Sequence, residues 1–176
     1  MAEQIASILI ASDHAGFELK ERLEAWLRES GYAVTDLGTD DARSTDYADY
    51  AHPLAAQVSA GVAPRGVLLC GTGLGMSYVA NRYPRVRAAV AWSPEIAELA
   101  RRHNDANVLA LPARFLSEEA AKQILRTWLE TPFEGGRHER RVEKIERTHA
   151  RDTTGSRATV AASDIDIDHD ATETRR

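Results

Sequence analysis

Cys70 heads the run Cys70-Gly71-Thr72-Gly73-Leu74-Gly75. Alternating glycines let the backbone come close to a ligand, and their N–H groups can converge on an anion. A thiol beside such a nest and a helix start is favoured as thiolate, which acts as base or nucleophile. The competing reading is a small buried hydrophobe, the role of most free cysteines. Nucleotide-binding versions of the loop fit badly. The Lys-Ser/Thr of a phosphate-binding P-loop is absent. A dinucleotide fingerprint needs G-x-G-x-x-G and an acid at the end of the next strand, where Ala91-Trp92-Ser93 stands. Cys70 is the single cysteine, so an intrachain disulfide framework and a multi-cysteine zinc site are excluded.

Three more clusters carry polar chemistry. Asp13-His14 follows an apolar run and reads either as a site pair or as a helix N-cap with a polar neighbour. His103-Asn104-Asp105-Ala106-Asn107 reads either as functional or as a C-cap, since His meets the helix dipole favourably there and Asn tolerates left-handed geometry. Arg137 and Arg141, four apart, share a helical face and can fork onto one phosphate. The alternative is a solvated charged helix laced with Glu139, Glu143 and Glu146. No aromatic residue is interleaved with this basic cluster for stacking on bases, and the chain is acidic, with a formal net charge of −5, so nucleic acid is not an expected partner.

The elements that must position these groups alternate. The chain has 176 residues, 43% apolar and 28% charged, which suits one domain with a real core. Strands are expected at 5–11, 32–35, 67–70, 88–92 and 108–111. Between them lie helical patterns: one with Leu19, Leu23, Trp26 and Leu27 on a face, one over 47–61 interrupted near His52-Pro53, and a short one around 77–81. Pro94 opens the next helix, over 95–103, Ser117 caps another, and a charged helix runs from Arg137 to about Arg151. This alternation predicts an α/β fold, a Rossmann-like three-layer αβα sandwich with a parallel sheet of about five strands. Ligands of such sheets sit beyond the carboxyl ends of the strands, where Ser12–Gly16 and Gly71–Gly75 both fall. Residues 1–151 are therefore expected to form one domain. Residues 152–176, without an aromatic residue, read as a disordered acidic tail. Its alternating Asp164, Asp166, Asp168 and Asp170 brush against an EF-hand start, but His169 and Arg175 stand where that loop requires Gly and Glu. No basic leader and no apolar run of membrane-spanning length are seen, which predicts a cytoplasmic protein with no membrane partner.

Together these pieces resemble the ribose-5-phosphate isomerase type B / galactose-6-phosphate isomerase family. The resemblance spans about residues 5–150. It is carried by Ser12-Asp13-His14-Ala15-Gly16-Phe17, Thr45-Asp46-Tyr47, Cys70 through Ser77, Ala80-Asn81, His103 through Leu109, and Glu134-Gly135-Gly136-Arg137-His138. It implies aldose–ketose isomerisation through a cis-enediolate, which needs a base at C1/C2, oxyanion donors, a ring-opening acid/base and a phosphate clamp. Some members carry Gly at the cysteine position and Glu in place of Met76; Cys70 with Met76 marks the cysteine type.

What the resemblance implies for individual residues follows from this. Cys70 is the base, with the backbone of Gly71, Gly73 and Gly75 stabilising the enediolate. Thr72 passes a proton between O1 and O2, and His103 opens the ring with Asp13. Tyr47 and Asn104 hold hydroxyls or the oxyanion, while His14, Arg114, Arg137 and Arg141 bind the phosphate. Arg114 follows Leu111-Pro112-Ala113, a departure from the glycine-containing stretch of the family. No metal and no cofactor are implied. A homodimer or tetramer is, with active sites shared between subunits. The substrate expectation is ribose 5-phosphate, in the pentose phosphate pathway. Allose 6-phosphate, galactose 6-phosphate and a tetrulose 4-phosphate are alternatives, and a non-catalytic sugar-phosphate-binding subunit is an alternative of another class.

Overall fold

The computed structural model describes residues 7–151, with side chains through residue 146. Residues 5 and 6 of the expected first strand, and the acidic segment 152–176, lie outside the described residues. The strands are β1 (Ser7–Ser12), β2 (Ala33–Asp36), β3 (Arg65–Cys70), β4 (Ala88–Val90) and β5 (Val108–Pro112). The helices are α1 (Phe17–Glu29), α2 (Tyr47–Ser59), α3 (Leu74–Ala80), α4 (Pro94–Asn104), α5 (Glu118–Glu130) and α6 (Arg137–Arg151). All strand pairs are parallel, in the order β2-β1-β3-β5-β4. The fold is the expected α/β three-layer sandwich with five strands.

β1, β3 and β5 are apolar along nearly their whole length because helices cover both faces of the sheet. On one face Ile10, Leu69 and Leu111 pack with Leu23 of α1, Ala97 of α4 and Trp128 of α5. On the other, Ala11, Leu68 and Cys70 pack with Leu54 of α2 and Met76 of α3. Lys20 of α1 is fully buried beside the sheet edge and pairs with Asp36 of β2 and Glu21. Burial works against its charge, but the hydrogen bonds to Asp36 and Glu21 outweigh that and raise its pKa. Among the described residues no helix is long and apolar enough to cross a membrane.

The differences from expectation lie at element ends. α2 runs through Pro53 without a break; the proline forfeits only the bond to the carbonyl of Asp49, an exposed residue that water can serve. β4 stops at Val90, because Trp92 turns outward and is 61% exposed. α3 starts at Leu74, inside the glycine run, since Gly73 takes a left-handed φ of 74° that lets the chain turn at once from strand to helix. α4 closes on Asp105, at φ 46°, where its carboxylate meets Arg101 Nη1 at 2.8 Å. Ser93 and Ser117 cap α4 and α5 through their hydroxyls.

Gly16, at the mouth of α1, lies directly on β3. A Cβ there would sit 2.7 Å from Leu69 Cβ and 2.9 Å from the Leu69 carbonyl carbon. Neither strand nor helix can yield without moving the loops they carry. Gly16→Ala is therefore expected to cost about 1–3 kcal/mol of stability, read from urea unfolding midpoints. An unchanged midpoint would show that this packing is slack.

Candidate active site

The sheet order puts β1 beside β3 and β3 beside β5, with Ser12 level with Leu69 and Cys70 level with Pro112. The residues just past these ends therefore meet. Asp13, His14, Ala15, Tyr47, Cys70, Gly71, Thr72, Gly75 and Arg114 line one cavity of about 200 Å³. Most of the sequence-predicted set is thus gathered at the carboxyl ends of the strands, as open α/β sheets require.

Each lining group is held by its local chain. Asp13 accepts the N–H groups of Ala15 at 2.9 Å and Gly16 at 3.2 Å, and its own N–H bonds the Leu69 carbonyl at 3.2 Å. It does not cap α1 directly, since Gly16 occupies the cap. His14 Nδ1 lies 3.2 Å from both N and O of Thr45. With Nδ1 accepting the Thr45 N–H, the ring proton sits on Nε2, a donor for an anion. Tyr47, the first residue of α2, crosses Gly75 so closely that a Cβ on Gly75 would be 2.7 Å from Tyr47 Cζ.

Cys70 is buried, and the Gly73 N–H donates to its Sγ at 3.1 Å. Gly73 itself serves from the helix start rather than from the cavity wall. Thr72 is exposed, and its Oγ1 accepts the Leu74 N–H at 3.4 Å, which leaves its proton free to be given away. Pro112 does not divert Arg114. The chain turns through a short 3-10 segment, Arg114 N–H bonds the Gly71 carbonyl at 3.2 Å, and the guanidinium stem lies over Gly71. A larger polar hollow of about 670 Å³ runs along Asp36–Thr45 and adjoins the site through the Thr45–His14 contact.

The remaining candidates form a second group within the chain. His103, at the end of α4, stacks on His138 of α6, with ring centroids 4.3 Å apart and planes at 7°. Its Nε2 lies 3.9 Å from Glu134, whose carboxyl Arg102 holds below its ordinary pKa. Asn104 is exposed and lines a separate hollow with Arg87 and Ile145. Arg137 and Arg141 are exposed on α6, with Arg137 Nε 3.4 Å from His138 Nε2. None of His103, Asn104, Arg137 and Arg141 lines the Cys70 cavity of the same chain. The ligand atoms of His103, Glu134 and His138 lie within 4.8 Å of one another. Nearly parallel rings, however, point their lone pairs along separate planes, which does not suit two ligands of one ion.

His138 is the residue that sequence reasoning left out of the site. It stood in the stretch Glu134-Gly135-Gly136-Arg137-His138 without a role of its own, because nothing in the spacing announces a ring stacked on His103 from another helix. The model of the family described as Ribose/Galactose Isomerase matches residues 8–145. The chain belongs to that family. Ribose-5-phosphate isomerase B of Escherichia coli is 46% identical over 138 residues, 78% of this chain and 93% of that protein. D-erythrulose-4-phosphate isomerase of Pectobacterium atrosepticum is 42% identical over 140 residues, 79% of this chain and 92% of that protein. A crystal structure of a ribose 5-phosphate isomerase from Thermotoga maritima superposes with a TM-score of 0.79 at 51% identity, covering 81% of this chain and 98% of that one. The chain is a sugar-phosphate isomerase.

The stacked pair in this isomerase has a pH consequence. Burial, with His103 and Arg137 nearby, lowers the pKa of His138 below the ordinary imidazole value. The unfolded chain then binds the proton first. The stability that His138 contributes as a neutral ring is present in full above about pH 6.5 and is lost as the pH falls below it. Stability of the native protein is expected to fall between pH 7 and pH 5 more steeply than that of His138→Gln, measured as urea midpoints across that range. Equal slopes would remove His138 as the cause.

Proposed function

We propose that this isomerase interconverts ribose 5-phosphate and ribulose 5-phosphate, with Cys70 as the base. The observation that carries the reading is the cavity itself. It sets a thiol with an N–H on its sulfur among Asp13, Tyr47, Thr72 and two groups suited to an anion, His14 and Arg114. In the aldose-to-ketose direction the Cys70 thiolate takes the proton from C2 and returns it to C1. The Thr72 hydroxyl moves a proton between O2 and O1. The backbone of Gly71 and Gly75, which line the cavity, stabilises the charge that develops on the enediolate oxygen, while the Gly73 N–H serves the sulfur. His103 and Asp13 open the furanose ring, and Tyr47 and Asn104 hold hydroxyls or the oxyanion. His14, Arg114, Arg137 and Arg141 bind the phosphate.

This set is divided between two groups in one chain, so the proposed site is shared between two copies in a homodimer or tetramer. Each copy contributes a Cys70 cavity to one site and a His103/Arg137 face to another. Tyr47, Leu74, Tyr78 and Phe115, exposed apolar residues at or next to the cavity loops, support burial of this end of the sheet against a partner copy. The family match over residues 8–145 supports one isomerase domain within 1–151. A cytoplasmic role in the pentose phosphate pathway goes with the ribose substrate. The erythrulose-4-phosphate relative favours a second reading, in which the same machinery serves a tetrulose 4-phosphate.

Cys70→Ala is expected to lower turnover by about 10²–10⁴-fold while still binding phosphorylated sugars. Assays on ribose 5-phosphate, allose 6-phosphate, galactose 6-phosphate and erythrulose 4-phosphate decide the substrate by the largest kcat/KM. Normal turnover by the variant would remove Cys70 from the mechanism, and a different preferred sugar would overturn the ribose assignment alone. Arg137→Ala is expected to raise KM by about ten- to a hundredfold, the equivalent of a charge-assisted contact, with kcat little changed. An unchanged KM would place that arginine in solvent during turnover.

A further inference from the structure

Helix α6 carries Arg137 and Arg141, and among its described side chains few apolar ones are buried. Between residues 137 and 146 His138 is buried, Val142 and Glu146 are half-buried, and the rest are exposed. Apolar packing of that extent does not by itself hold a helix in one place. At its N-terminal end His138 stacks on His103. About two turns further on, Glu146 reaches back to the body of the protein. One carboxylate oxygen accepts Arg87 Nη1 at 2.8 Å and the other accepts the Arg85 N–H at 2.9 Å.

Arg87 uses every nitrogen of its guanidinium. Nε donates to the carbonyl of Asn104 at 2.9 Å, and Nη2 donates to the carbonyl and the carboxylate of Asp105, both at 2.9 Å. The side chain is only 14% exposed, so these charge-assisted bonds are poorly screened. Its backbone is fixed as well, since Asn107 Oδ1 accepts the Arg87 N–H at 2.8 Å. One side chain thus ties α6 to the end of α4 that bears His103 and Asn104.

We infer that Arg87 and Glu146 are positioning residues for substrate phosphate, a polar strut that sets Arg137 and Arg141 at a fixed distance and angle from His103 and Asn104. The inference rests on the reading of Arg137 and Arg141 as phosphate ligands. The strut touches no substrate. It acts by removing the freedom of a helix whose own burial does not locate it, so that the two guanidinium groups meet the phosphate without first being ordered.

The test uses the full chain and reads KM, kcat and competitive inhibition by inorganic phosphate. Glu146→Ala and Arg87→Lys are expected to raise KM and the phosphate inhibition constant together, by about tenfold, with kcat within about twofold. Glu146→Gln, which keeps the shape and can still accept from Arg85 N–H, is expected to fall between Glu146→Ala and the native protein. It also keeps the test open should the alanine variant fold poorly. In an Arg137→Ala/Arg141→Ala background, Glu146→Ala is expected to change KM no further, because the strut acts through those arginines. A Glu146→Ala effect that adds in full to that background, that lowers kcat alone, or that is absent while Arg137→Ala/Arg141→Ala raises KM, would overturn the strut. If Arg137→Ala/Arg141→Ala itself leaves KM unchanged, the phosphate-clamp reading falls, and the strut with it.

Discussion

Parallel pairing of β3 with β1 on one side and β5 on the other is the constraint from which the rest of the site follows. The register sets Ser12 level with Leu69 and Cys70 level with Pro112, so three chain segments leave the sheet at the same height. Gly16 then lies against Leu69, and the Asp13 N–H bonds its carbonyl, which locks the first loop to the third strand. On the other side the Arg114 N–H bonds the Gly71 carbonyl and its side chain crosses the glycine loop. A slip of one residue in either pairing would turn Cys70 from the α2/α3 face to the opposite face and break up the cavity.

The loops are held by backbone geometry rather than by apolar contact. Gly73 in a left-handed conformation ends the strand and begins α3 in one step, which brings an N–H onto Cys70 Sγ. Gly75 leaves room for the Tyr47 ring, so α2 can lean over the loop. These glycines do different work, although in the sequence they look like one repeated residue. Under the proposed reading, a loop fixed in this way holds its groups in place before the substrate arrives.

The second group is organised on other terms. His103, His138, Arg137 and Arg141 come from two helices joined by ring stacking and, through Arg87, by ion pairs. Charge is dense there. Arg102 and Glu134 pair at 2.9 Å, and burial, with His103 and Arg137 nearby, lowers the pKa of His138. Polar positioning of this kind keeps the arginines exposed, where a face of a second copy or a phosphate can reach them. Under the proposed reading the two groups meet only across subunits, which couples assembly to activity.

Much of this was legible from residue order. Short apolar runs alternating with helical periodicity point to a parallel sheet, because strands covered on both faces tolerate such runs. That in turn directs attention to the loops after the first and third strands. Pro94 and Ser117 marked helix starts through chemistry that needs no tertiary context. Pro53 misled at α2, because whether a lost backbone bond is tolerated depends on exposure, which sequence does not encode locally. The stacking of His138 on His103 and the reach of Arg87 to both Asp105 and Glu146 were likewise invisible, since they join residues far apart through the packing of α4 and α6. The sequence by itself determined the kinds of groups and the sheet end at which they gather. Only the tertiary structure decided that Cys70 and His103 stand in separate groups of one chain, because the distance between two helices or loops is set by what packs between them.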